Sequence, residues 1–69
     1  MPSLIINGDP RTFPDGLPES LLHLIHTLAL PPEALVAEVD GAVVRARDFA
    51  STPLQDGSVV ELVQLVGGG

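Results

Sequence analysis

The stretch Ser58 to Gly69, SVVELVQLVGGG, decides how the rest of the chain is read. It is an apolar strand rich in β-branched residues, and it runs straight into three glycines. Glycine weakens a strand interior, and three in succession hold no regular structure of their own. A segment without side chains can, however, enter a channel too narrow for any other residue. The α-carboxylate of Gly69 sits at its tip. The expected organisation is a folded domain over residues 1–66 and a flexible glycine tail of Gly67, Gly68 and Gly69 that presents this carboxylate.

Working outward, the final strand follows Asp56-Gly57, one of three Asp-Gly pairs in the chain. Alternation places Val60, Leu62 and Gln64 on one face and Val59, Glu61, Val63 and Leu65 on the other. If the first set packs under a helix, Val63 and Leu65 face outward, with Ile5 of a neighbouring strand beside them. Such a patch next to a tail suits protein recognition. The expected partner-binding patch is therefore Ile5, Val63, Leu65 and Val66.

Ser3 to Asn7 reads as a short apolar strand. Asn7-Gly8 is a type I′ hairpin signal, and Arg11-Thr12-Phe13 is the returning strand. Pro18 suits the first position of a helix. Leu21, Leu22, Ile25, Leu28 and Ala29 then fall on one face, with Glu19, Ser20, His23, His26 and Thr27 on the other. Pro31-Pro32 should end this helix of about 12 residues. Ala34 to Val39 and Ala42 to Arg45 form a second hairpin around Asp40-Gly41. The run Arg47 to Ala50 makes one helical turn with Phe49 as its core anchor. The order β-β-α-β-β-β predicts an α+β domain, a mixed sheet of about five strands with one main helix on one face. The first and last strands, the most apolar, belong side by side at its centre, and a right-handed crossover allows them to pair in parallel.

Composition narrows the function classes. Net charge is −6, with nine acids against Arg11, Arg45 and Arg47 and no lysine. Three arginines cannot supply the clustered positive charge that nucleic acid requires, and anionic membranes are disfavoured for the same reason. The chain has no cysteine, which removes disulfides, thiolate metal sites and a cysteine nucleophile. The opening MPSLIING lacks the charged and apolar regions of a signal peptide, so a soluble cytoplasmic protein is expected. His23 and His26, with Glu19 a turn earlier, lack further metal ligands and read as a solvated helix face. Asp40 and Asp56 sit in turns for backbone reasons, and Asp48 is placed to pair with a neighbouring arginine. No catalytic constellation, phosphate-binding loop or metal site is expected.

The β-β-α-β-β-β order, the segment Val43 to Phe49 and the run FASTPLQDGSVVELVQLVGGG resemble the ubiquitin-like β-grasp sulfur carriers, in particular the ThiS family of thiamine biosynthesis. The resemblance spans the whole chain. It implies a protein co-substrate, not an enzyme. In such carriers an E1-like, ThiF-like adenylyltransferase uses ATP to adenylate the C-terminal glycine carboxylate. Sulfur from a cysteine desulfurase relay then makes a thiocarboxylate, which donates sulfur to a ThiG-like thiazole synthase. That role falls on Gly69, with Gly67 and Gly68 as the thin tail, and no cofactor is bound by the carrier itself. The family usually ends in two glycines where this chain has three. Molybdopterin-synthase small subunits share the fold and the terminus, but tend to be longer, with a proline before the glycines where this chain has Leu65-Val66. A ubiquitin-like protein modifier and a non-covalent interaction module are the other readings.

Overall fold

The computed structural model describes residues 1–66; the expected tail of Gly67, Gly68 and Gly69 lies outside the described residues. The strands are β1 (Ser3–Ile6), β2 (Asp9–Thr12), β3 (Leu35–Val39), β4 (Ala42–Val44) and β5 (Val59–Gln64), with one α-helix, α1 (Leu21–Thr27). They form one sheet in the order β2-β1-β5-β3-β4. β1 and β5 run parallel, while the other neighbours are antiparallel. The central pairing expected from the two most apolar strands is therefore present.

Both hairpins turn as their sequences dictate. Asn7 and Gly8 have φ of 49 and 84, and Asp40 and Gly41 have φ of 51 and 85. Two successive positive φ values define the type I′ turn, whose twist matches that of the flanking strands. The returning strand β2 begins earlier than expected, at Asp9, and takes in Pro10 opposite Ile5. An edge strand tolerates a proline that a central strand would not.

The helix is shorter than the sequence pattern predicts, and both of its ends differ. Ser20, not the residue before Pro18, is the N-cap; its hydroxyl accepts a hydrogen bond from the His23 N–H at 3.1 Å. The His23 side chain reaches back in turn, its Nδ1 accepting from the Glu19 N–H at 3.2 Å. This is a variant of the capping box, with histidine in the usual glutamate position and its bond taken from the residue before the N-cap. At the other end Ala29 adopts φ of 58. The Leu30 N–H donates to the Ile25 carbonyl at 3.1 Å and the Ala29 N–H to that of His26 at 3.0 Å. These two bonds make a Schellman motif. Alanine is a poor occupant of that left-handed position, at a cost of about 1 kcal/mol, so no glycine marks the stop. Pro31-Pro32 lies beyond it.

The helix buries Leu21, Leu24 and Ile25 against Leu4, Leu35, Ala37, Val60 and Leu62 of the sheet. Leu24 was not among the expected face residues and is fully buried, whereas Ala29 is exposed and Leu22 half-buried. Phe49 is 1% exposed and sits in a 3₁₀ helix over Ala46–Ser51, slightly longer than the single turn expected. A second 3₁₀ turn, Pro32–Ala34, leads into β3.

One side chain extends the sheet where the backbone leaves it. The Ile5 N–H donates to Ser58 and the Asn7 N–H to Val60, at 3.0 and 2.9 Å. The chain then turns away, but the Asn7 amide continues the ladder: its Oδ1 accepts from the Leu62 N–H at 2.7 Å and its Nδ2 donates to the Leu62 carbonyl at 3.1 Å. Without that amide, two part-buried main-chain groups of β5 lose their partners, at about 1 kcal/mol or more each. We expect Asn7→Gly, which keeps the positive φ free of strain, to lose about 2 kcal/mol in denaturant unfolding. A change below a few tenths would show that water replaces the amide without cost.

The C-terminal strand and the open face of the sheet

The sheet has one face under α1 and one face open. Along β5 the inward side chains Val60 and Leu62 are buried, while Val59, Val63 and Leu65 are 38%, 59% and 55% exposed. Ile5 of β1 and Val36 of β3 share the open face, at 37% and 43% exposure. Val36 lies directly across from Val63, and Ile5 across from Val59. Of the expected patch, Ile5, Val63 and Leu65 are thus exposed on one side of the sheet. Val66 is 92% exposed just beyond the strand. Val36 belongs with them and was missed. Its strand was read for its turn, and only the β3–β5 register reveals it as a neighbour of Val63.

The end of β5 is held firmly. It is the middle strand; β1 pairs with its first residues, Val59 and Val60, while β3 pairs along it as far as Gln64. Beyond Gln64 the Leu65 N–H still donates to the Ala34 carbonyl at 2.7 Å. The next residue, Val66, is almost wholly in solvent. The strand therefore carries the chain off the sheet immediately before the glycines.

The other candidate residues do local structural work. The Asp40 carboxylate accepts from the Val59 N–H, and Asp56 from the Ser3 N–H, both at 2.8 Å. They tie turns to strand ends, as aspartates in turns do. Arg47 lies 3.9 Å from Asp48, and both side chains are well exposed, so this pair contributes little to stability. The Arg11 guanidinium rests 5.6 Å from the centre of the Phe13 ring. His23 and His26 are exposed on the helix, with His23 engaged in the cap. Among the described residues no three acidic, histidine or cysteine side chains cluster as a metal site. No helix among them is long and apolar enough to cross a membrane. An open depression of about 450 Å³ lies between the first hairpin, at Ile6, Asp9, Pro10 and Arg11, and the helix end at Leu28 and Leu30.

One helix across a five-stranded mixed sheet, with parallel first and last strands at its centre, is the ubiquitin-like β-grasp fold. The chain belongs to the ThiS family, whose family model matches residues 4–69. It is similar to the uncharacterized protein ycf40 of Porphyra purpurea, with 36% identity over 67 residues, 97% of this chain and 92% of that protein. Among solved structures it resembles the crystal structure of thiamine biosynthesis protein ThiS from Geobacter metallireducens. The TM-score is 0.80 and the identity 31%, over 97% of this chain and 99% of that one. A solution structure of a thiamine biosynthesis protein from the same organism gives a TM-score of 0.79 and 29% identity, covering 97% and 87% of the two chains. ThiS-family proteins are small sulfur carriers and not catalysts.

Proposed function

We propose that this chain is a sulfur carrier of thiamine biosynthesis that works through the carboxylate of Gly69. The observation that carries the reading is the placement of β5. A central strand, flanked by β1 at its start and paired with β3 through Gln64, delivers the chain off the sheet at Leu65, with Val66 92% exposed and the three glycines following. Membership of the ThiS family supports the same assignment.

The proposed chemistry uses the chain only as an acyl group. A carboxylate is a poor electrophile until it carries a leaving group. Attack of the Gly69 carboxylate oxygen on the α-phosphorus of ATP releases pyrophosphate and gives an acyl adenylate. The terminal sulfur of a relay persulfide then attacks the acyl carbon and AMP departs, leaving an acyl disulfide. A cysteine thiol of the relay or the adenylating enzyme cleaves its S–S bond, releasing the thiocarboxylate and leaving a disulfide between the two protein cysteines. The E1-like, ThiF-like enzyme supplies this catalysis, and a cysteine desulfurase relay supplies the sulfur, which a chain without cysteine must receive from outside. The resulting thiocarboxylate donates its sulfur to a ThiG-like thiazole synthase, all in the cytoplasm. Gly67 and Gly68 form the thin tail beyond a domain of residues 1–66, and Ile5, Val63, Leu65 and Val66 form the docking patch. Mixed apolar surface of this kind is what protein interfaces bury at their centres.

The test is the intact mass of the untagged protein after incubation with ATP, the adenylating enzyme and a sulfur donor. The expected result is a gain equal to replacing one oxygen by sulfur, localised to Gly69. No gain, with an enzyme set that loads another ThiS-family protein, would overturn the reading. Conjugates to target lysines on denaturing gels would point instead to a protein modifier.

A further inference from the structure

The open face carries an arrangement that the free domain has no use for. The β3–β5 register sets Glu38 directly opposite Glu61, and Val43 of β4 lies opposite Glu38 on its other side. The adjacent row is Val36 opposite Val63. Side chains opposite each other across antiparallel strands are about 5 Å apart at Cβ, and like charges in that relation destabilise the sheet. Among the described residues no ion pair answers either glutamate. Arg47 pairs with Asp48, and Arg11 lies over Phe13. Arg45, exposed between β4 and the 3₁₀ helix, reaches neither carboxylate in an ion pair among the described residues. The chain has no lysine to offer. A local rule broken in the middle of an exposed apolar face, with no compensation inside the molecule, marks a place where compensation comes from outside.

We propose that Glu38 and Glu61 together receive an arginine or lysine side chain of the activating partner, seated among Val36, Val43 and Val63. The inference rests on the proposed function, takes the adenylating enzyme as the partner that covers this patch, and goes beyond that reading by naming the chemistry that selects the partner. Covering the three valines expels water from around the two carboxylates. In the drier contact their attraction to a cation strengthens, and their repulsion for each other is relieved. A partner surface with the same apolar shape but no cation would instead bury two unpaired carboxylates, which is strongly unfavourable. The pair therefore discriminates as well as attracts. The net charge of −6 adds long-range steering toward a basic surface.

The test compares the parent with Glu38→Gln, Glu61→Gln and the double variant, which keep shape and hydrogen-bonding capacity while removing charge. Binding to the ThiF-like adenylating enzyme of the same organism is measured without ATP over a range of salt. The double variant should bind at least about tenfold more weakly at low salt, with a shallower dependence on salt. Its free domain should be at least as resistant to heat as the parent. Parent-like affinity and salt dependence in the double variant would overturn the proposal while leaving the carrier reading intact. An unmodified parent that neither binds the enzyme nor gains sulfur would overturn both. A parent dimer that the double variant converts to monomer would assign the cation to a second copy of this chain, and would also overturn it.

Discussion

Extending the chain by two alanines beyond Gly69 should abolish sulfur loading entirely and leave the domain as stable as before. The extension converts the Gly69 carboxylate into an amide, which cannot attack ATP to form an acyl adenylate. It also carries the new terminal carboxylate about 7 Å further along an extended chain. Displacements of even 1 Å at a reacting centre cost about a hundredfold in rate, so the added terminus cannot substitute for the lost one. Stability should not follow activity. The core is assembled from residues up to Leu62, and the last hydrogen bond of the β5 ladder is that of Leu65. Additions beyond Gly69 fall outside all of these contacts, and changes of that kind stay within about 0.5 kcal/mol. The measurement pairs intact mass after the loading reaction with the denaturant midpoint of the same preparation. An extended variant that still gains sulfur would remove Gly69 from the chemistry. One that fails to load because it has unfolded would say nothing about the terminus, and the midpoint separates the two cases.

Much of this architecture is written locally. Asn7-Gly8 and Asp40-Gly41 announce type I′ turns because few other residue pairs accept two successive positive φ values. Strand periodicity divides Val59 to Leu65 into two faces, but both carry apolar residues, and only packing under the helix makes Val60 and Leu62 the buried set. The helix ends were misplaced although the bonds that set them are local. The helix stops at an alanine in a left-handed conformation, held by the carbonyls of Ile25 and His26. Nothing in alanine signals such a stop. The helix begins at Ser20 although Pro18 is an equally acceptable opening by type, and Pro18 is instead buried ahead of the cap. Leu24 lies three residues after Leu21 and four before Leu28, a helical spacing that places it beside them on the face packed against the sheet.

The exposed face was legible only in part for a different reason. Ile5, Val63 and Leu65 follow from alternation along strands already thought to be adjacent. Val36, Glu38 and Val43 join them through the β3–β5 and β3–β4 registers. A register is a relation between two strands, and neither strand states it alone. The second role of Asn7 was hidden in the same way. Its turn signal accounts for its presence, while its bonds to Leu62 span 55 positions of sequence.

The other large effect expected is on folding. Phe49→Ala should lower stability by about 3–5 kcal/mol, the cost of removing a buried phenylalanine and leaving a cavity. Phe49 is the largest fully buried side chain in the core and is 1% exposed. It is presented by a 3₁₀ helix that packs against α1 and β3. The Leu21 N–H at the start of α1 donates to the Thr52 carbonyl, just past that 3₁₀ helix, at 2.9 Å. The ring thus fills the space where helix, sheet and crossover meet, and a small aliphatic core has no second aromatic to close over the gap, since Phe13 lies at its margin. A domain of this length has about 3–10 kcal/mol in total and buries only about 60% of its unfolded surface. With no cysteine to form a disulfide, the variant should be substantially unfolded at room temperature. Phe49→Leu, closer in volume, should cost far less, about 1–2 kcal/mol. Circular dichroism against denaturant reads both. A loss below about 1 kcal/mol in the alanine variant would mean that the site collapses around the cavity and that Phe49 is not the anchor. The contrast with the C-terminal extension is physical. Under the proposed function, loss of Phe49 should remove the docking face and the strand that carries the tail together, so that binding and loading fail in proportion to unfolding. Blocking Gly69 should stop loading while the folded open face still binds the proposed partner.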